Sequence, residues 1–287
     1  MATSPRMDPA RDRSTLYIVA KGGLGNQLFQ AALGLALAER TGADLTFLTH
    51  SFGGDPYRRI FQLEAFPCLG GRIAAMEEAE GVGLLQQERL PDVPVREFLR
   101  QAGDLVASRG RLALDGYWQQ EDYWAGHEPL IRRRLACAPS PELRTAGERV
   151  SAQAVIGIHV RRHDHGHHGL AHSEYYRQAI AAIRAERGDR PVLCFTDEPN
   201  FCRFVFRDIT NLQVLSGDTR SPLDDFYLLS CCHHFVIANS TFSWWAAWMG
   251  ERADTIVYAP EPFTIFDPRH KPVPTRWRSV TGAVRAQ

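Results

Sequence analysis

An α/β fold of two lobes, each built on a parallel sheet, is what this sequence predicts. Apolar runs of strand length alternate with helix-length stretches along most of the chain, the pattern of successive β-α units. Three of the strand-like runs end abruptly on polar or glycine-rich residues, at 21–26, 161–164 and 239–243. The carboxyl ends of strands are where open α/β sheets bind ligands. The length, 287 residues, suits two lobes of roughly 130 residues each.

The elements follow in order. Residues 1–14, with Pro5, Pro9 and interspersed charges, read as a disordered leader. Residues 16–20 form a short apolar strand, 21–26 a glycine-rich turn, and 27–40 a helix that Gly42 stops. A second strand is expected at 44–48 and another at 111–117, while 51–110 shows no clear period. Residues 128–137 read as helix, and the two prolines within 138–141 mark a linker, so the lobes are expected at 15–140 and 141–287. In the second lobe, strand 154–160 leads to helix 173–186, strand 192–196, a helix near 200–207 and a short strand at 213–215. Ser221-Pro222 supplies a capping residue and a first-turn proline for a helix reaching about 231. Strand 234–238, helix 243–249 and strand 255–258 complete the repeat.

Composition excludes several classes. Basic and acidic residues balance at 33 each with no long run of one sign, so the electrostatic footprint of a nucleic-acid binder is missing. Lys21 and Lys271 are the only lysines. The six cysteines, at 68, 137, 194, 202, 231 and 232, show no C-x-x-C spacing and fall mostly in apolar stretches. They read as reduced, buried thiols and not as a disulfide framework or a zinc site. With no signal-peptide core and no apolar run of membrane-spanning length, the chain is expected to be soluble and cytoplasmic.

The three junctions carry the chemistry. After the run Ala154-Val155-Ile156-Gly157-Ile158-His159-Val160 come Arg161-Arg162-His163-Asp164. Permanently charged, planar guanidinium forks at a strand end suit the oxygens of a diphosphate; the competing reading is a structural ion pair with Asp164. At the first junction, Gly22, Gly23 and Gly25 let the backbone approach an anion, toward which the N–H groups of the following helix point. The alternative is a tight turn that packs helix on strand. Leu28 stands where a third glycine would complete a dinucleotide fingerprint, and no lysine-serine pair makes a Walker loop. At the third junction Asn239, Ser240, Thr241 and Phe242 offer side-chain groups and N–H donors to phosphate, or cap the helix they precede. Trp244, Trp245 and Trp248 are spaced to put at least two indoles on one helix face, which favours core packing over sugar stacking.

Four motifs together resemble glycosyltransferase family 11, the α-1,2-fucosyltransferases. They are Gly22-Gly23-Leu24-Gly25-Asn26-Gln27-Leu28-Phe29-Gln30, Gly157-Ile158-His159-Val160-Arg161-Arg162, Phe195-Thr196-Asp197-Glu198 and Ile237-Ala238-Asn239-Ser240-Thr241-Phe242-Ser243-Trp244-Trp245. The resemblance implies a GT-B-like fold of two Rossmann-like lobes with a cleft between them, the N-terminal lobe for acceptor and the C-terminal lobe for GDP-fucose. It implies inverting, metal-independent transfer of L-fucose to the 2-hydroxyl of a galactoside in glycan or surface-polysaccharide synthesis, with GDP-fucose as substrate and no cofactor. The sequence agrees about the metal, since no D-x-D pair is present to hold a divalent ion. By the resemblance, Arg161 carries the charge of the departing diphosphate, helped by Asn239, Ser240, Thr241 and Phe242. His159 lies beside the nucleotide, Asp197 accepts from guanine or ribose, and Gly23, Gly25 and Asn26 reach the diphosphate or fucose. The partners implied are GDP-fucose and a galactose-terminated glycan; a lipid-linked acceptor would draw the protein to the inner face of the membrane.

The chain departs from the family pattern after the arginines. His163, His165, His167, His168 and His172 form a histidine-rich loop that reads either as a metal site or as a solvated loop near the acceptor. For the catalytic base, Asp164 is a candidate, although it alternatively orients Arg161; Glu121 and Asp122, in the aromatic and polar loop 115–123, are others. Other readings stay open: another nucleotide-sugar glycosyltransferase, a protein O-fucosyltransferase, a non-catalytic GDP-sugar or carbohydrate-binding protein, and an NAD-dependent oxidoreductase.

Overall fold

The computed structural model describes residues 13–90, 92–162, 169–215, 220–266, 270 and 272–285. The chain divides between Ala136 and Cys137 into two compact units. Of the expected leader only Arg13 and Ser14 are described, and the Ser14 carbonyl already takes a hydrogen bond from Asp44 N–H.

The first unit is a five-stranded, wholly parallel sheet. Its strands are β1 (Thr15–Val19), β2 (Asp44–Leu48), β3 (Arg72–Ala74), β4 (Gly83–Gln86) and β5 (Arg111–Asp115), in the order β3-β2-β1-β5-β4. Alternation along the strands sends Tyr17, Val19, Leu48, Ala74 and Ala113 to one face, where they form a cluster with Ala79. Helix α1 (Leu24–Thr41) covers the other, and its Gly34 comes so close that a methyl group there would lie 2.8 Å from Leu45 and 2.9 Å from Ile18. Almost every residue of α1 up to Leu37 is buried, because α2 (Val95–Arg109) and α3 (Glu128–Arg134) also pack against it. Helix α1 starts at Leu24, so Gly25 and Asn26 belong to its first turn and not to the preceding loop.

The second unit holds a six-stranded parallel sheet. Its strands are β6 (Ile156–Val160), β8 (Val192–Thr196), β9 (Leu212–Leu215), β10 (His234–Val236), β11 (Val257–Glu261) and β12 (Arg278–Thr281). The order β9-β8-β6-β10-β11-β12 is the doubly wound 3-2-1-4-5-6 arrangement. Helix α4 (Pro141–Ala152) precedes the sheet, with Ser140 as its N-cap, so Pro141 opens a helix where a linker was expected. Helices α5 (Ser173–Arg187) and α6 (Pro199–Val205) cover one face through Tyr175, Tyr176, Ile180, Ile183 and Cys202. Helices α7 (Pro222–Ser230) and α8 (Thr241–Gly250) cover the other, where Gly157 leaves room for Leu229 and Cys232. A short antiparallel pair, β7 (Leu170–Ala171) with β13 (Val284–Arg285), ties the end of the chain to the start of α5. Trp244, Trp245 and Trp248 are all core residues, and the Trp244 indole donates to the Pro272 carbonyl at 2.9 Å.

Candidate functional site

In the second unit the chain leaves β6 toward one face of the sheet and β10, its neighbour, toward the other. A crevice opens at such a switch point, because the two connections diverge. Arg161 and Arg162 stand at the end of β6, Asp197 and Glu198 at the end of β8, and residues 239–242 at the end of β10.

The two arginines have different surroundings. The Arg162 N–H donates to Asp197 Oδ1 at 3.0 Å, its guanidinium Nε meets Glu198 Oε2 at 3.0 Å, and its guanidinium carbon sits 3.9 Å from the Phe201 ring centre. That residue is held at three points, one on its backbone and two on its side chain. Arg161 has its Nε 3.3 Å from Asp197 Oδ2 with about a third of its side chain exposed. Asp197 therefore receives one arginine by its backbone and the other by its fork, an arrangement that aims Arg161 along the strand end. Asp197 thus anchors both arginines at the strand end.

Helix α8 begins beside them. Ser240 occupies its N-cap position but makes no side-chain cap bond; its carbonyl instead accepts from Trp244 N–H and from the Ser243 hydroxyl. The first-turn N–H groups, starting at Thr241 and Phe242, carry the positive end of the helix dipole. Asn239 is buried, and its amide donates to the Gly169 carbonyl at 2.9 Å. The buried His159 ring packs 5.3 Å from Phe242, which in turn meets Phe226 of α7 edge-on at 5.6 Å.

The strand ends themselves are tied from below. The Tyr176 hydroxyl donates to the His159 carbonyl at 2.9 Å, and Tyr175 Oη lies 2.8 Å from the Ile237 carbonyl and 2.9 Å from that of Tyr258. The His159 and Ile237 carbonyls lie where their strands run out, and both phenols are pushed well above their ordinary pKa by burial, so they remain donors. His172, from the histidine-rich stretch, caps α5: its Nδ1 accepts from Tyr175 N–H at 3.3 Å and its Nε2 lies 3.2 Å from the Gly282 carbonyl. Residues 163–168, Asp164 among them, lie outside the described residues.

The first unit gathers its own polar groups at the carboxyl ends of the adjacent strands β1 and β5. Gly23 is the N-cap of α1, again without a side-chain cap bond. Gly22 has φ +77°, and a Cβ there would lie 2.5 Å from Asn26 Nδ2, so only glycine fits. Two buried glutamines of α1 fasten the neighbouring loops. Gln30 accepts from Lys21 N–H at 3.1 Å and donates to the Gly116 carbonyl at 3.1 Å. Gln27 donates to the Gly22 and Ile60 carbonyls, both at 2.9 Å, and accepts from Gln62 N–H at 2.8 Å. Asn26 Oδ1 accepts from Gln119 at 2.7 Å, and Lys21 pairs with Asp115 at 2.7 Å. Glu121 and Asp122 open a short 3-10 turn after this loop, with Glu121 half-buried and Asp122 exposed.

A sequence profile of glycosyl transferase family 11 matches residues 111–271, more than half of the chain. The chain belongs to glycosyltransferase family 11. Similar proteins include the O-antigen biosynthesis glycosyltransferase WbnK of Escherichia coli, 26% identical over 85% of this chain and 93% of that protein. An α-1,2-colitosyltransferase of Escherichia coli is 23% identical over 89% of this chain and 95% of the relative. A galactoside α-(1,2)-fucosyltransferase 1 of Ateles belzebuth is 32% identical over 88% of this chain and 69% of its own length. Among solved structures, POFUT1 in complex with GDP superposes with a TM-score of 0.52 at 13% identity, covering 85% of this chain and 98% of that one. NodZ α-1,6-fucosyltransferase soaked with GDP-fucose gives 0.50 at 18% identity, covering 86% and 95%. These likenesses concern the fold, which is GT-B-like, and the family 11 chain is a fucosyltransferase-like glycosyltransferase.

Several residues of this family 11 site escaped the sequence reading. Gln27 and Gln30 carry a signal in hindsight, being polar residues about one turn apart that open the apolar stretch of α1 running to Leu37. Tyr175 and Tyr176 looked like ordinary core aromatics, and nothing in the sequence says that their hydroxyls meet strand-end carbonyls. Arg220 is another: at the start of α7 it pairs with Asp225 at 2.8 Å, next to Phe226, and its second terminal nitrogen is buried without a protein partner among the described residues. Burial raises the Asp225 carboxyl above its ordinary pKa despite this partner. Among the described residues no group of three or more His, Cys, Asp or Glu is arranged to hold a metal, and no helix is long and apolar enough to cross a membrane.

Proposed function

We propose that this glycosyltransferase moves L-fucose from GDP-fucose to the 2-hydroxyl of a galactoside with inversion at the anomeric carbon, and that it needs no metal. The observation that carries the reading is the pairing, on adjacent strands of the second unit, of a partly exposed arginine at the end of β6 with the side-chain-uncapped N-terminus of α8 at the end of β10. Both are donors for anionic oxygens, and both are fixed before any ligand arrives.

In this mechanism Arg161 and the N–H groups at Thr241 and Phe242 hold the diphosphate. As the bond from the fucose anomeric carbon to the phosphate oxygen lengthens, negative charge accumulates on GDP, and these donors stabilise it without having to reorganise. The acceptor hydroxyl attacks from the opposite face and gives up its proton, with Asp164 as a candidate base. Asp197 aims Arg161, while Arg162 acts through position alone. His159 and Phe242 form an aromatic wall beside the nucleotide, and Asn239 holds the chain after β10 in place. The similar galactoside α-(1,2)-fucosyltransferase supports the acceptor class.

A second reading, transfer of colitose, is favoured by the similar α-1,2-colitosyltransferase. The test is product formation by the full chain with lactose, with EDTA present, comparing GDP-fucose against GDP-colitose, with GDP release and product mass read together. A fucosylated product supports the first reading. A product from GDP-colitose alone supports the second, and GDP release from neither donor overturns both.

A further inference from the structure

Tyr117 stands out at the carboxyl end of β5 as a large aromatic side chain that the fold presents to solvent, 40% exposed. Its loop is built to hold it there. Gly116 admits no side chain, since a Cβ would lie 2.5 Å from Gln87 Cβ and 2.7 Å from the Trp118 ring. Gln87 Oε1 accepts from both Tyr117 N–H, at 2.7 Å, and Trp118 N–H, at 2.9 Å, while Gln30 takes the Gly116 carbonyl. Trp118 has φ +54°, the left-handed region that a bulky residue seldom occupies, and its ring is buried against Phe98 with centroids 4.7 Å apart. The chain thus turns one aromatic into the core and its neighbour outward, at a cost in backbone strain.

What surrounds the exposed ring indicates what it meets. Lys21 Nζ lies 5.0 Å from the Tyr117 ring centre and 2.7 Å from Asp115 Oδ1, with both partners about three-quarters buried. An ammonium with protons to spare and a carboxylate with spare lone pairs make a fork for two neighbouring hydroxyls. The carboxylate disfavours a phosphate at this spot. A neutral, polyhydroxylated ligand with one apolar face fits the set, and galactose is such a ligand, because its axial O4 leaves the hydrogens of C3, C4 and C5 together on one side.

We propose that Tyr117, with the Lys21–Asp115 pair beside it, is a galactoside-binding platform in the first unit. The choice of sugar rests on the glycosyl-transfer reading above. The galactose ring stacks on the tyrosine, its hydroxyls bond to Lys21 and Asp115, and Gln87 acts as a positioning residue by fixing the loop.

The test is saturation-transfer-difference NMR on the full chain with methyl β-D-galactoside and with lactose, in the wild type, Tyr117→Ala and Tyr117→Phe, with GDP binding measured separately by calorimetry. Wild type and Tyr117→Phe are expected to transfer saturation to the galactose H3, H4 and H5, and Tyr117→Ala to bind about 10-fold more weakly or not at all. Added GDP leaves the signal in place. Because Tyr117 is exposed, Tyr117→Ala keeps the wild-type melting temperature; Tyr117→Leu, which retains bulk but not the ring, serves as a second non-aromatic variant. Undiminished transfer in both non-aromatic variants, displacement of the sugar by GDP, or no transfer to either sugar in the wild type overturns the proposal. A protein that binds GDP but shows ring-independent galactoside binding defeats this inference alone. Ring-dependent galactoside binding without any GDP affinity defeats the donor reading alone.

Discussion

Replacing each of the two adjacent arginines by alanine should separate stability from turnover. Arg162→Ala removes an ion pair to Glu198 at 3.0 Å and a guanidinium stacked 3.9 Å from the Phe201 centre, while its backbone bond to Asp197 survives. A partly exposed ion pair contributes up to about 1 kcal/mol and a cation–π contact about 1 more, so the loss is roughly 2 kcal/mol. For a unit of this size that corresponds to a fall in Tm of about 4–8 °C. Arg161→Ala forfeits a 3.3 Å contact to Asp197 from a side chain one-third exposed. Its effect on transfer is larger, because a donor aimed at the leaving diphosphate is gone: kcat/KM with GDP-fucose drops about 100- to 1000-fold. Calorimetric melting and GDP release with lactose as acceptor read the two axes on the same preparations. An Arg161→Ala protein that keeps kcat/KM within threefold of wild type, or an Arg162→Ala protein that melts with wild type, would refute this division of roles.

Other expectations follow from the same contacts. Gly22→Ala combines a strained left-handed φ with a Cβ 2.5 Å from Asn26 Nδ2, and should lose about 1–3 kcal/mol in urea denaturation. Gln30→Leu strands Lys21 N–H and the Gly116 carbonyl inside the protein; about 2–4 kcal/mol should go with it, read by the same denaturation. Tyr176→Phe leaves the His159 carbonyl without its 2.9 Å donor, and should lower stability by about 1–3 kcal/mol and weaken GDP affinity measured by calorimetry. His234 is buried and its Nδ1 accepts from Ile256 N–H; burial, with His233 adding to it, lowers its pKa from 6.5 to about 4. Between those values the unfolded chain binds a proton that the folded protein refuses. Stability is therefore complete above pH 6.5 and falls as pH drops toward 4, by about 3 kcal/mol in all, and His234→Gln should flatten that slope in denaturation at pH 7, 5.5 and 4.5.

Periodicity and punctuation made much of the fold legible before any coordinates. Residues 192–196 match β8, Gly42 ends α1 in the left-handed conformation, and Ser221-Pro222 opens α7 with a capping box. These are local events, decided by side-chain size and by hydrogen bonds within one turn. The region 51–110 resisted, because β3 and β4 are only three and four residues long and the loops around them follow distant partners, as when Gln27 binds Ile60 and Gln62. The last strands, β12 and β13, were missed for a related reason: their residues are mostly polar and exposed, and pairing with β11 and β7 makes them strands.

The same line divides the site. Four motifs, the glycine turn and the charged strand ends could be read as chemistry because residue type alone, a guanidinium or a missing side chain, limits what a segment can do. What holds the Arg162 side chain was set by Glu198 and Phe201, residues brought to it by the parallel pairing of β6 with β8. Equally, that Tyr117 faces solvent while Trp118 fills the core depends on Gln87 and Gln30 closing around Gly116 from other elements. Sequence carries the local free energies of each segment; orientation comes from long-range packing and hydrogen bonds, which exist only once the strands are side by side.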